Sequence, residues 1–153
     1  MNKISLLILA CSGRKFKKKY PTPALELYDG VNYRVIKKTF RDNGRPENLI
    51  IKILSAKYGL IDESFNIRNY DLRFDKKTSA KEKFETIFRL NLVDPIPKEI
   101  FVNLGKDYLP AISGINEIFP KTKITYANGG IGVKMKEMKN WLMSLYRSRS
   151  ISG

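Results

Sequence analysis

The chain contains no histidine. That removes Ser-His-Asp and Cys-His catalysis, histidine-ligated metal centres and imidazole proton shuttles, and leaves carboxylates, Lys, Tyr, Ser and one cysteine to carry any chemistry. A single cysteine, Cys11, permits no disulfide framework and no cysteine-ligated zinc site within one chain, so no metal or other cofactor is expected and the reducing cytoplasm is the default compartment. Long hydrophobic runs are missing as well. The first apolar run, Ile4 to Ala10, has seven residues, where a membrane-spanning helix needs about 20. The basic cluster Arg14, Lys15, Lys17, Lys18, Lys19 follows that run instead of preceding it, the wrong order for a secretory signal peptide. No membrane association is expected.

Acidic residues are also few. Fifteen Asp and Glu stand against 29 Lys and Arg, a formal charge of +14 on 153 residues. Such an excess favours a polyanionic partner, DNA or RNA; a general lysine bias is the plainer explanation. Six cations and no acid lie between Met1 and Tyr20, and from Lys121 onward seven cations face one acid, Glu137. Phe16, Tyr20, Tyr28, Tyr58 and Tyr70 interleave with cations, a pattern suited to single-stranded or flipped-out bases. With 42% apolar residues the chain has enough material for a core and reads as one domain over 1–146, followed by a basic, serine-rich, flexible tail over 147–153.

The pattern predicts strands at 4–11, 49–55, 99–104 and 123–127, with helices near 24–29, 31–41, 79–91, 107–119 and 133–146. On the helix over 79–91, Phe84, Ile87, Phe88 and Leu92 read as the buried face; on the last helix, Met135, Met138, Trp141, Leu142 and Leu145 read as core. Residues 61–74 fit no single period. The alternation of strand and helix argues a three-layer α/β sandwich around a mostly parallel sheet of about four strands.

Two polar signatures follow apolar strands directly: Cys11-Ser12-Gly13-Arg14-Lys15 after the first, and Ser55-Ala56-Lys57-Tyr58-Gly59-Leu60 after the second. Ligands of open α/β sheets collect beyond the carboxyl ends of strands, so both point to one site, and their chemistry suits an anion. Ser12 and Gly13 can offer backbone N–H groups to a phosphate or base carbonyl, with Arg14 and Lys15 supplying charge; a solvated basic turn is the alternative. Cys11 is either a nucleophile activated by those cations or core filler. Lys57 can bind phosphate or a purine carbonyl, or form a Schiff base if desolvated. Asp71 can orient water or stabilise an oxocarbenium ion, as cleavage of a glycosidic bond requires; Asp71 and Asp29 are equally readable as turn residues. Asn128-Gly129-Gly130-Ile131-Gly132 lets backbone approach phosphate at a helix N-terminus, but the dinucleotide fingerprint fails at Met135 and lacks its later acid.

Cys11 to Lys15, Pro23-Ala24-Leu25-Glu26-Leu27-Tyr28, Ile53 to Leu60 and Tyr70-Asp71-Leu72, with Gly130-Ile131-Gly132 and Trp141-Leu142 at the end, resemble domain-of-unknown-function family 6884 (DUF6884) of bacteria and phages. The resemblance implies a uracil-DNA-glycosylase-like or YaaA-like α/β fold and distant kinship with proteins that handle modified or deaza-purine bases in nucleic acid. It implies site residues Ser12, Arg14 or Lys15, Tyr28, Ser55, Lys57, Tyr58 and Asp71. Gly13 departs from the larger residue, often Lys or Ala, that the family carries there. The expectation is a nucleic-acid-binding protein that acts on or recognises a base, with Asp71 and Lys57 as catalytic groups and Ser12, Arg14, Lys15, Tyr28, Ser55, Tyr58 and Gly130 as substrate contacts. The alternatives are a binding module without chemistry and an enzyme of nucleotide metabolites.

Overall fold

The computed structural model describes residues 4–72 and 75–152, with side chains as far as Tyr146. In chain order the elements are β1 (Ser5–Ala10), β2 (Thr22–Pro23), α1 (Ala24–Leu27), α2 (Val31–Asn43), β3 (Leu49–Ser55), β4 (Gly59–Asp62), β5 (Asn66–Ile67), α3 (Lys76–Asn91), β6 (Glu99–Asn103), a 3₁₀ turn (Leu109–Ile112), α4 (Ile115–Ile118), β7 (Lys123–Tyr126) and α5 (Ile131–Ser152). The main sheet has five strands in the order β4-β3-β1-β6-β7. The four strands read from the sequence are its parallel members; β4 folds back antiparallel on β3 as an edge, and β2 and β5 form a separate two-stranded ribbon.

β1 lies at the centre because it is apolar on both faces. Alternation along the strand sends Leu7 and Leu9 to one side and Leu6 and Ile8 to the other. On the first side Leu7, Leu9, Ile51, Ile53 and Phe101 pack with Tyr33 and Ile36 of α2 and with Met138, Leu142 and Leu145 of α5. On the second, Leu6, Ile8, Leu54, Ile100 and Val102 pack with Leu90 of α3, Ile112 and Ile115. Helices thus cover both faces, giving the three-layer sandwich that the alternation predicts.

Three local expectations are corrected. The helix over 107–119 is instead a 3₁₀ turn and a short α-helix, because Pro110 enters the first and Gly114, at φ +97°, breaks the path between them. Segment 61–74 is not wholly irregular: Gly59, at φ +76°, turns the chain into β4, and β5 pairs Thr22 with Ile67. The guanidinium of Arg89 fastens this turn, its Nη1 donating to the carbonyls of Tyr58 (3.0 Å) and Leu60 (2.9 Å). Thirdly, α3 packs through Ser79, Thr86 and Leu90, all buried, while Phe84, Phe88 and Leu92 stand exposed. Its neighbours are the 3₁₀ turn, α4 and β4, and small hydroxyl residues let it approach closely where phenylalanines would not fit. α5 runs further than the sequence suggested, to Ser152; Gly153 and the side chains from Arg147 onward, which belong to the segment read as a tail, lie outside the described residues.

Candidate functional site

β1 and β3 are adjacent and parallel, with Ala10 opposite Leu54, so the two signatures emerge side by side from one edge of the sheet. The Cys11 amide extends the ladder by donating to the Leu54 carbonyl (3.0 Å). The chain then runs past α1: Phe16 N–H donates to Leu27 (2.8 Å), Asp29 N–H to Arg14 (2.8 Å), and Lys15 bridges Tyr28. Those bonds lay Tyr28 over the end of β3. Segment 63–67 is tied to the same place, because Ala24 N–H donates to Phe65 (3.0 Å), Leu25 N–H to Glu63 (3.0 Å), and β5 pairs β2. Tyr70 is thereby brought to the same edge.

The result is a ring of three hydroxyls. Tyr28 Oη donates to Ser55 Oγ at 3.3 Å, Ser55 Oγ meets Tyr70 Oη at 3.0 Å, and the two tyrosine oxygens lie 2.5 Å apart. With Ser55 donating to Tyr70 and Tyr70 to Tyr28, each hydroxyl gives one proton and receives one, a closed cycle whose members polarise one another. Ser55 Oγ also accepts the Lys57 and Tyr58 amides (3.2 and 3.1 Å), so the same side chain shapes the turn that carries them. Tyr33 donates to the Ala10 carbonyl (2.7 Å) with its ring against that of Tyr28. Burial pushes the Tyr28 phenol up to about 12 and raises those of Tyr70 and Tyr33 as well, so all three are neutral at physiological pH.

Lys15 lies across this cluster, its Nζ 4.3 Å from the Tyr70 ring centroid and 5.7 Å from that of Tyr28, in the range of a cation–π contact. Burial lowers its pKa, against the opposing charges of Cys11 and Asp71. Asp71 is exposed, and its charge is one of those that act on Lys15. Lys57 is also exposed, its Nζ 5.4 Å from the Tyr58 ring, which in turn packs edge-on against Tyr70 at 5.7 Å. Lys57, Tyr58, Tyr70 and Lys15 therefore form a succession of neighbours, with the charge of Asp71 acting on Lys15.

The remaining expected residues are placed differently. Ser12 closes its own turn, donating to the Arg14 carbonyl (2.8 Å) and accepting the Arg14 amide (3.1 Å), so neither group is turned toward a ligand. Arg14 pairs with Asp29 at 3.3 Å, and Asp29 also takes both Arg34 donors at 3.2 and 3.1 Å; the Arg34 hydrogen bonds hold the Asp29 carboxyl below its ordinary range. Asp29 is thus a clamp on the loop. Cys11 Sγ meets Tyr108 Oη at 3.2 Å, between β1 and the segment after β6. Gly130 is exposed at the start of α5, beyond β7, and β6 separates that strand from β1.

Sequence reasoning named Tyr70 as an interleaved aromatic and as part of the Tyr70-Asp71-Leu72 motif but not as a site residue, gave Tyr108 only a packing role, and assigned no role to Tyr33, Arg34 or Arg89. The signal for Tyr70 was its place in that motif, one residue before Asp71; Tyr33, Arg34, Arg89 and Tyr108 work through contacts that no spacing reveals. Among the described residues no group of His, Cys, Asp and Glu gathers closely enough to hold a metal ion, and no helix is long and apolar enough to cross a membrane.

The model of a family of unknown function, DUF6884, matches residues 6–140. A solved structure described as "Crystal structure of AF0587, a protein of unknown function" shares the fold at a TM-score of 0.52 and 10% sequence identity, over 92% of this chain and 44% of that one. This chain therefore spans less than half the length of that protein. No curated protein matches.

Proposed function

The chain belongs to DUF6884, a family whose function is unknown, so its activity has to be argued from the site, and we propose that it is a cytoplasmic nucleic-acid-binding protein that recognises a base of DNA or RNA at the joined carboxyl ends of β1 and β3. The observation that carries this reading is the Lys15 ammonium lying over the Tyr70 and Tyr28 rings on a chain of charge +14. A base presented single-stranded or flipped out finds there the half-buried Tyr70 ring, backed by the buried Tyr28, a cation for its carbonyl oxygens, and the exposed Lys57 nearby for a phosphate. The hydroxyl ring serves recognition indirectly. Its three members satisfy one another, so they fix the two tyrosine rings without demanding bonds from a ligand.

Asp71 supports a second reading, in which the protein also hydrolyses an N-glycosidic bond. Its charge acts on Lys15, and in this reading the carboxylate serves the oxocarbenium ion that develops beside a base held on Tyr70. In that reading Asp71 stabilises the sugar cation and orients the attacking water, and Lys57 and Lys15 hold the polymer.

Incubation with genomic DNA, phage DNA and transfer RNA, followed by mass spectrometry of free bases, separates the two. Release of one base by the wild type and not by Asp71→Asn identifies a glycosylase and its substrate. Retention of nucleic acid that weakens steeply between about 50 and 200 mM salt, with no base released, identifies a recognition module. Failure to retain either polymer at low salt would overturn both.

A further inference from the structure

α3 presents to solvent a face that its periodicity assigns to the core. Phe84 is 83% exposed and Phe88 54%. A single apolar residue on a surface needs no explanation, but neighbouring aromatics beside a cleft mark a place where something binds. The cleft runs between α3 and α4, holds about 610 Å³, and is lined by Ala80, Lys81, Lys83, Phe84 and Ile87 on one side and by Gly114, Glu117 and Ile118 on the other.

Charge is segregated along this helix. Lys77, Lys81, Phe84 and Phe88 recur at i, i+4, i+7 and i+11 and so share one stripe. Glu82 and Glu85 fall on the other flank, where Glu85 pairs with Arg89 at 3.0 Å. Two cations followed along the stripe by two exposed rings repel a second copy of a chain this basic and suit a flexible polyanion with flat, stackable groups.

The helix that carries the stripe is also tied, through its buried side, to the end of β1. Ser79, on the first turns of α3, donates to the Tyr108 carbonyl at 3.1 Å, and Tyr108 Oη contacts Cys11 at 3.2 Å. At a rise of about 1.5 Å per residue, Phe84 lies roughly 8 Å and Phe88 roughly 14 Å along the helix from Ser79.

We propose that this face of α3 is the track on which a single strand of nucleic acid continues from the base site, its bases stacking on Phe84 and Phe88 and its phosphates meeting Lys77, Lys81 and Lys83. The track rests on the nucleic-acid reading above and extends it from one base to several nucleotides.

The test is fluorescence anisotropy of labelled single strands of about 4 and about 15 nucleotides, which bracket the usual site size, on the full chain. The variants are Phe84→Ala/Phe88→Ala, Lys77→Gln/Lys81→Gln and Lys15→Ala, with circular dichroism to verify folding and light scattering to follow mass. The aromatic pair is expected to weaken the long strand about tenfold or more and leave the short strand unchanged. The lysine pair lowers the salt dependence for the long strand only, and Lys15→Ala weakens both strands. If the aromatic and lysine pairs bind the long strand like wild type while Lys15→Ala is weak, the track is wrong and the base site stands. If wild type binds neither strand, the nucleic-acid reading fails and takes the track with it. A wild-type dimer that the aromatic pair dissolves would assign the face to self-association and overturn the track.

Discussion

The hydroxyls of Tyr28 and Tyr70 lie 2.5 Å apart, 42 residues apart in sequence, and close a ring through Ser55. Ser55 is wholly buried and serves both phenols and two backbone amides, so its removal strands several polar groups at once. Ser55→Ala is expected to cost about 1–3 kcal/mol, a fall in Tm of roughly 2–4 °C per kcal/mol for a domain of this size. Tyr70→Phe, at a half-buried position that leaves Ser55 its other partners, costs less. Thermal denaturation of the two variants checks the order; a Ser55→Ala protein as stable as wild type would show that the ring contributes nothing.

How much of this arrangement could be read beforehand depended on whether the relevant contacts were local. β1, β3 and β6 were legible as short apolar runs, β7 as a short stretch between Pro120 and the glycines at 129–130, and the buried side of α5 because Met138, Leu142 and Leu145 repeat at helical spacing. Both signatures were legible because they follow strands. Tyr70 was not, since it reaches Tyr28 only through the pairing of β5 with β2 and the turn at Gly59 that Arg89 fastens. α3 misled for the opposite reason: its periodicity was real, but Ser79 and Thr86 allow a closer approach than Phe84 and Phe88, and packing followed size rather than hydropathy.

The buried phenols make the protein sensitive to alkali. Burial holds Tyr28 protonated up to about 12 in the folded chain, whereas an unfolded tyrosine titrates near 10. The folded state therefore retains a proton that the unfolded state loses. This contribution is fully present below about pH 10, is lost as pH rises toward 12, and amounts to roughly 2–3 kcal/mol. Tyr70 and Tyr33 act in the same direction. Tyrosinate absorbance of the folded chain is expected to account for fewer than its eight tyrosines near pH 11, with the rest appearing on unfolding. Eight phenols ionising together in a folded chain would contradict the burial argument.

Asp29 has the opposite sign. Its carboxyl is held low first by the Arg34 hydrogen bonds and then by the charges of Arg34, Arg14 and Lys37. A depressed carboxylate stabilises the fold above its unfolded pKa, about 3.9, and that stabilisation disappears as pH falls through the folded value. Asp29→Asn should be less stable than wild type at neutral pH and should lose less on acidification, as denaturant midpoints at the two pH values will report. Arg34→Gln should resemble it more closely than Arg14→Gln, because Arg34 donates twice and the Arg14 side chain is 70% exposed, where solvent screens the pair. Equal effects from the two arginines would mean that long-range charge, and not the paired hydrogen bonds, lowers Asp29.

Gly30, just before α2, is where the first signature meets the second element of its own loop. A Cβ there would lie 2.5 Å from Ser12 Oγ and 3.2 Å from Ser12 Cβ, too close for either to remain in place. The turn in which Ser12 bonds Arg14 therefore depends on a glycine 18 residues downstream in the chain. Gly30→Ala should displace Ser12, loosen the Arg14 to Asp29 pair and shift Lys15 on the tyrosine rings, lowering stability and weakening the nucleic-acid binding proposed for that site. Ser12→Gly clears the space that the new methyl needs. The double variant Ser12→Gly/Gly30→Ala should consequently be more stable than the two single losses predict when added, by an interaction of about 0.5–3 kcal/mol. Additive losses in that cycle would mean that Gly30 is required for its backbone conformation and that the contact with Ser12 is incidental.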